Sequence, residues 1–462
     1  MLFELLKLFF ALSIPWILGF LSLKMILKNE KYPFFLEASL AYGLGLGALS
    51  VLMFVLDMLQ VPFSFSNILS ACLLIYLIIL IALKLKARAG SPLRSLLPNK
   101  MNKKIPGISI FQLALIIFIL INLYFSFWRA LNIPIASWDA FATVAFKAKM
   151  FYFEKQIPRL DLLPHKTYPL FTPLIESWIC FCLGRWDNQF VKIIFPCALL
   201  SFLLISYYFL KTFTNRAYAL SGIALLLSSN LFILHSTISY RDFFLLYYNC
   251  LAIIFLILWA HFDKNHDLIL ASLFASLATF VKLEGTAFIA IYLFLILAIY
   301  FIKKTNQPKK ILKQLVIFII PVLIIGLGFH IYKHYNGATL QTDSKAQLNL
   351  SLTNLHLLKN VISSFKEDFL YTANWHLSWF LLPVAFVLYP KRLKRKEICI
   401  CLMGILSFIL LYMFVAIFTE NFIWIAGTSK LTGLSRLLLH FYPLNIYFLI
   451  LITYPNPFEY HR

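Results

Sequence analysis

Residues Arg129 to Gln189 read RALNIPIASWDAFATVAFKAKMFYFEKQIPRLDLLPHKTYPLFTPLIESWICFCLGRWDNQ, the one long polar interruption in an otherwise apolar chain. Runs on both sides of it, such as Phe111–Trp128 and Val191–Leu210, are long enough to cross a hydrocarbon core. Further along, Phe243–Ala260, Ala287–Ile302 and Leu402–Phe418 have the same character. The 462 residues are 61% hydrophobic and only 13% charged, which excludes an ordinary soluble domain. These runs do not alternate polar and apolar residues, so a β-barrel is excluded as well. The expected fold is all-α: a polytopic membrane protein of about thirteen transmembrane helices, with juxtamembrane helices in one large outer loop.

The spans are expected near 3–23, 36–57, 66–83, 108–128, 190–210, 217–235, 243–260, 268–284, 286–302, 311–330, 374–389, 398–418 and 437–454. Orientation follows from the net charge of +22, which is concentrated between spans. Lys84 to Lys104 holds seven basic residues and no acid, Lys303 to Lys313 five, and Lys391 to Lys396 five. Such loops mark the cytoplasmic face and also suit anionic lipid headgroups. Nucleic acid is a poor partner for them, because no basic stripe alternates with exposed aromatics outside the membrane frame. The N-terminus then lies outside, as do 129–189, 236–242, 331–373 and 419–436. The apolar segment Tyr168–Gly184 is placed on or dipping into the outer surface, because a crossing there would invert every later loop.

Ionisable residues collect at that outer face. They are Asp139, Lys147 and Lys149 in the long loop, Arg241 and Asp242 before one span, Lys282 and Glu284 between two more, and Arg436 and His440 before the last. Charges at membrane depth are costly and are retained for function. Each also has a plainer reading. Asp139 could cap the helix that follows it, and Asp242 could cap its span or pair with Arg241. Lys282 and Glu284 could form a simple ion pair, and Lys147 and Lys149 could snorkel to headgroups.

One chemistry fits the inventory. A sugar carried on a lipid phosphate has a good leaving group, so the paired carboxylates of a glycosidase are unnecessary. What is needed is one carboxylate to take a proton from the acceptor hydroxyl, and cations to neutralise the departing phosphate. No nucleophile–base grouping stands out in the polar loops. The residues name no certain cofactor, and a divalent cation could take part.

Several short motifs occur in order: Trp138-Asp139-Ala140, Lys147-Ala148-Lys149, Tyr168-Pro169-Leu170, Gly184-Arg185-Trp186-Asp187, Tyr240-Arg241-Asp242 and Lys282-Leu283-Glu284-Gly285. Their order resembles the GT-C superfamily of integral-membrane glycosyltransferases. Within it the chain is similar to bacterial relatives of the dolichyl-phosphate-mannose protein mannosyltransferases and the lipid A aminoarabinose transferase. The resemblance covers roughly Phe111 to Ile302, with a weaker echo around Arg436 and His440.

It implies a GT-C-like module at 108–302, N-terminal transmembrane hairpins and a basic loop at 1–107, and a C-terminal transmembrane region at 303–462. By position, Asp139 and Asp242 would be the catalytic acids, the former as base. Arg241, Lys282, Arg436, Lys147 and Lys149 would hold the donor phosphate, with Glu284, Trp138, Tyr168 and His440 supporting. The implied donor is a polyprenyl-phosphate sugar, and the acceptor a glycan, lipid or protein, with inversion at the outer face of the cytoplasmic membrane. A transporter or flippase of lipid-linked saccharides is the alternative; it would predict paired halves with broken helices at mid-membrane, and no such repeat is visible.

Overall fold

The computed structural model describes residues 2–27, 30–88, 107–304, 307–336, 349–427 and 430–455. Most of the basic run expected from Lys84 to Lys104 lies outside the described residues, as does 337–348 of the expected loop 331–373. Among the described residues the chain is all-helical and has no strand. In chain order the helices are α1 (Leu2–Leu27), α2 (Phe34–Met58), α3 (Phe65–Arg88), α4 (Ile110–Asn132), α5 (Phe146–Glu154), α6 (Phe171–Leu183) and α7 (Ile194–Phe213). Then come α8 (Arg216–Ser228), α9 (Asn230–His235), α10 (Arg241–Phe262), α11 (Asn265–Val281), α12 (Leu283–Lys303), α13 (Pro308–Val322) and α14 (Gly328–Tyr335). The last seven are α15 (Leu358–Phe369), α16 (Thr372–Trp375), α17 (Ser378–Leu388), α18 (Lys396–Phe418), α19 (Phe422–Ile425), α20 (Lys430–Leu439) and α21 (Tyr442–Thr453).

Among the described residues, nine helices are long and apolar enough to cross a membrane, or ten if the bent pair Gly433–Leu439 and Tyr442–Thr453 is one span. The chain is therefore a multi-pass membrane protein by length and composition. The other three expected crossings fall on shorter apolar helices. The stretch expected at 217–235 is broken at Ser229, whose extended backbone (φ −70, ψ 117) ends α8. The Ser229 hydroxyl accepts the Phe232 amide, capping α9, and donates to the Asn374 carbonyl. The expected span 268–284 is the 17-residue α11, and 374–389 falls on the four-residue α16 and the 11-residue α17.

The helix α10 is buried from Arg241 to Ala260, with α7, α11, α12 and α18 packed against it. At the other extreme α4 is almost unburied, as a helix facing lipid would be. The segment 1–107 shares the core of 108–302: Trp178 of α6 donates to the Ala11 carbonyl at 2.9 Å, and Tyr248 of α10 to that of Gly43 at 2.9 Å. α1 and α2 approach closely because they meet at glycine; a Cβ on Gly45 would lie 1.8 Å from the Pro15 oxygen.

Candidate functional site

Helix-forming apolar runs bring five separated charges to one end of α10. Asp242 sits in its first turn with no exposed surface. Its Oδ1 accepts from Lys282 Nζ at 2.9 Å and lies 3.0 Å from His440 Nε2, while Oδ2 accepts from Arg436 Nη2 at 2.8 Å. The other guanidinium arm, Nη1, donates to Asp139 Oδ2 at 2.5 Å. Lys282 in turn pairs with Glu284 at 2.8 Å. The result is a ladder of alternating sign: Asp139, Arg436, Asp242, Lys282, Glu284.

Local backbone features aim these groups. Lys282 is an extended residue (φ −154, ψ 153) between α11 and α12, so its side chain leaves the corner where the two helices meet. Gly285 allows that corner to close, because a Cβ there would lie 2.0 Å from the Ala278 oxygen. Arg436 lies on α20, over the ring of Tyr240 at 4.7 Å. The neighbouring Ser435 donates to both Asp368 oxygens, at 3.0 and 2.8 Å, and Asp368 also accepts from Trp375 Nε1 at 2.9 Å. These bonds tie α20 to α15 and α16 and so fix where the guanidinium lies.

Asp139 differs from Asp242 in being open. Its side chain is 41% exposed, and Arg436 is its one partner among the described residues, leaving Oδ1 unbonded. It does not cap the following helix by its side chain, as one reading of the sequence expected. Asp242 neither caps α10 nor pairs with Arg241; it is saturated by Lys282, Arg436 and His440. Both its oxygens are thus engaged, and it has no exposed surface. The simple Lys282–Glu284 pair exists, but as one rung of the ladder.

The five residues expected to bind phosphate fall into four different settings. Arg436 and Lys282 already have carboxylate partners. Arg241 is only 5% exposed and stacks over Tyr168 at 4.9 Å, with Nε and Nη2 buried and unbonded. Lys147 is fully buried, donates to the His165 carbonyl at 2.9 Å, and has its basicity pushed well down by burial and then by Arg241. Lys149, two residues on, is exposed and stands apart from the ladder. Trp138 is 77% exposed beside Asp139.

Three further residues complete the site from within the helices. Tyr412 OH lies 2.6 Å from His440 Nδ1, Asn249 donates to the His440 carbonyl at 2.8 Å, and Tyr292 donates to Asn249 Oδ1 at 2.8 Å. Donation from His440 Nε2 to Asp242, with Nδ1 accepting from Tyr412, is the neutral tautomer that satisfies both contacts. Asn249 had a sequence signal: it is a polar residue in an apolar span, seven positions (two helical turns) after Asp242. Tyr412 had none, since tyrosine is frequent throughout the spans. As for the divalent cation, no group of three or more His, Cys, Asp or Glu that could hold a metal occurs among the described residues.

Comparisons with family models, with curated protein sequences and with solved structures return no match.

Proposed function

We propose that this chain is a membrane glycosyltransferase that moves a sugar from a polyprenyl-phosphate donor to a glycan, lipid or protein acceptor, with inversion. The observation that carries the reading is the contrast within the ladder: one open carboxylate, Asp139, held by a cation whose other arm is fixed on a buried one. The acceptor hydroxyl gives its proton to Asp139 as its oxygen bonds to the anomeric carbon. The bond from that carbon to the phosphate oxygen breaks, and the lipid phosphate keeps the electron pair. Arg241, buried beneath the Tyr168 ring with two unbonded N–H groups, supplies positive charge to that phosphate through space. Asp242, Lys282 and His440 position Arg436 and are not in contact with substrate in this reading.

The proposal includes thirteen crossings of the cytoplasmic membrane, with 129–189 outside. Support comes from the grouping of the ladder residues at one end of the bundle, the motif order noted above, and the location of Lys303 and Lys310 at the opposite end. Asp139→Asn should leave an inserted, folded protein whose transfer rate falls at least ~100-fold, because the base is removed while its size is kept. Transfer of labelled sugar from a set of polyprenyl-phosphate donors by purified protein is the assay. Near-normal transfer by the variant would reject the mechanism.

A further inference from the structure

Beside the ladder, on the other side of Ala140, lies a cavity of about 60 Å³ that the proposed chemistry does not use. It is lined by the loop after α4, by Arg129 and Lys192, and by Ser137, Thr237 and Ser239. That is several times the room one water needs. No lining residue is acidic. Lys192 is almost fully buried and its ammonium donates to the Ile133 carbonyl, which holds the loop against the start of α7. Arg129 donates from Nε to Thr237 Oγ1 at 3.2 Å, and its two Nη nitrogens have no partner among the described residues.

Of the neighbouring acids, Asp139 and Asp187 are engaged away from the cavity, whereas Glu176 lies behind its Ser239 wall and interacts with Lys192. Glu176 accepts the Ser239 hydroxyl, Asp139 holds Arg436, and Asp187 holds Arg185 and the amides of Gln189 and Phe190. Two cations thus line a small cavity with no carboxylate on its wall, and both Arg129 Nη nitrogens lack a partner among the described residues. Like charges brought together out of bulk water repel unless an anion joins them.

We propose that this cavity binds a phosphate oxyanion, contacted by the Arg129 guanidinium, Lys192 and the Ser137 hydroxyl. The location favours a phosphate borne on a lipid. The cavity sits at the end of α4, the least buried of the nine long helices, where Tyr124 and Trp128 are exposed as at a headgroup boundary. A planar guanidinium fork suits two phosphate oxygens at once. The site is separate from the Arg436–Asp242 ladder, and its occupancy does not require sugar transfer.

The test uses the full-length protein in phosphatidylcholine nanodiscs doped with phosphatidic acid, with retained lipid counted by native mass spectrometry. Phosphatidic acid should be retained over phosphatidylcholine, and its retention should fall at least ~10-fold in Arg129→Gln. Ser137→Asp places a carboxylate in the cavity without removing a helix-capping side chain, and should reduce retention similarly. Arg129→Lys should keep most of it. Competition by millimolar inorganic phosphate would assign the binding to the oxyanion alone; resistance to it would assign it to the lipid, and both support the site. Equal retention of the two lipids, or equal retention of phosphatidic acid by wild type, Arg129→Gln and Ser137→Asp, would overturn it. No turnover is measured, so failure here leaves the transferase reading standing, and the reverse.

Discussion

At its first turn α10 presents Asp242, with no exposed surface, to Lys282, Arg436 and His440. Just past its last turn, Asp263 is 47% exposed between Lys303 at 3.2 Å and Lys310 at 2.7 Å. Both ends set one aspartate against two cations, yet the physics differs. Asp263 and Lys310 keep much of their hydration, and such pairs contribute about 0–1 kcal/mol. Asp242 has lost its water, and that loss costs several kcal/mol per ion unless every oxygen is matched. It is matched by groups from three other places in the chain, so the buried end fixes tertiary geometry that the exposed end leaves alone.

The largest expected effect follows from emptying the buried position. Asp242→Ala leaves Lys282 with Glu284 and Arg436 with Asp139, but strands one face of each cation away from water. Removing one partner of a buried pair costs about 3–5 kcal/mol. The check is unfolding by SDS titration in mixed micelles, compared with wild type. A loss below about 1 kcal/mol would erase the distinction between the ends and show that water enters around Lys282 and Arg436.

That contrast also separates what the amino-acid order discloses from what it does not. The all-helical, membrane-spanning class was legible because runs such as Leu402–Phe418 admit no other state. So was the coming together of Asp139, Asp242, Lys282, Glu284, Arg436 and His440, since charges that must avoid hydrocarbon collect where spans end. Their pairing was not. Asp242 and Arg241 are adjacent in the chain, but successive residues of a helix point about 100° apart, and each side chain found its contacts in distant parts of the chain. The break at Ser229 was also hidden, because serine is tolerated inside apolar helices, and its bond to the distant Asn374 carbonyl leaves no mark in the local sequence. Lys147 looked like Lys149 in sequence; the fold sends one into the core and the other to the surface.

A smaller effect should come from the second layer of the buried end. Tyr412 holds His440 Nδ1, and the ring in turn holds Asp242. Tyr412→Phe keeps the packing against Phe288 and Phe441 while removing the hydroxyl. It should cost about 1 kcal/mol in the same titration, the worth of one neutral hydrogen bond. The imidazole would then be free to shift its proton, so any transfer activity should change its pH profile more than its stability. An unchanged profile together with an unchanged stability would remove Tyr412 from the network and confine the ladder to the charged residues.

Asp263→Asn, at the exposed end, should change stability least, by about 1 kcal/mol at most, although, like Asp242→Ala, it removes one carboxylate from between two cations. Asp263 closes α10 with a left-handed backbone (φ 57), and asparagine accepts that conformation as readily as aspartate. The substitution therefore removes charge without adding strain, which isolates the electrostatic contribution. Raising the salt from about 0.1 to 1 M shortens the screening length from about 10 to 3 Å, so the small cost should shrink further. The cost of Asp242→Ala should persist at high salt, because ions do not reach a fully enclosed carboxylate. If the two costs fell together, solvent access would be equal at both ends of α10, and burial would not be what makes the Asp242 end the rigid one.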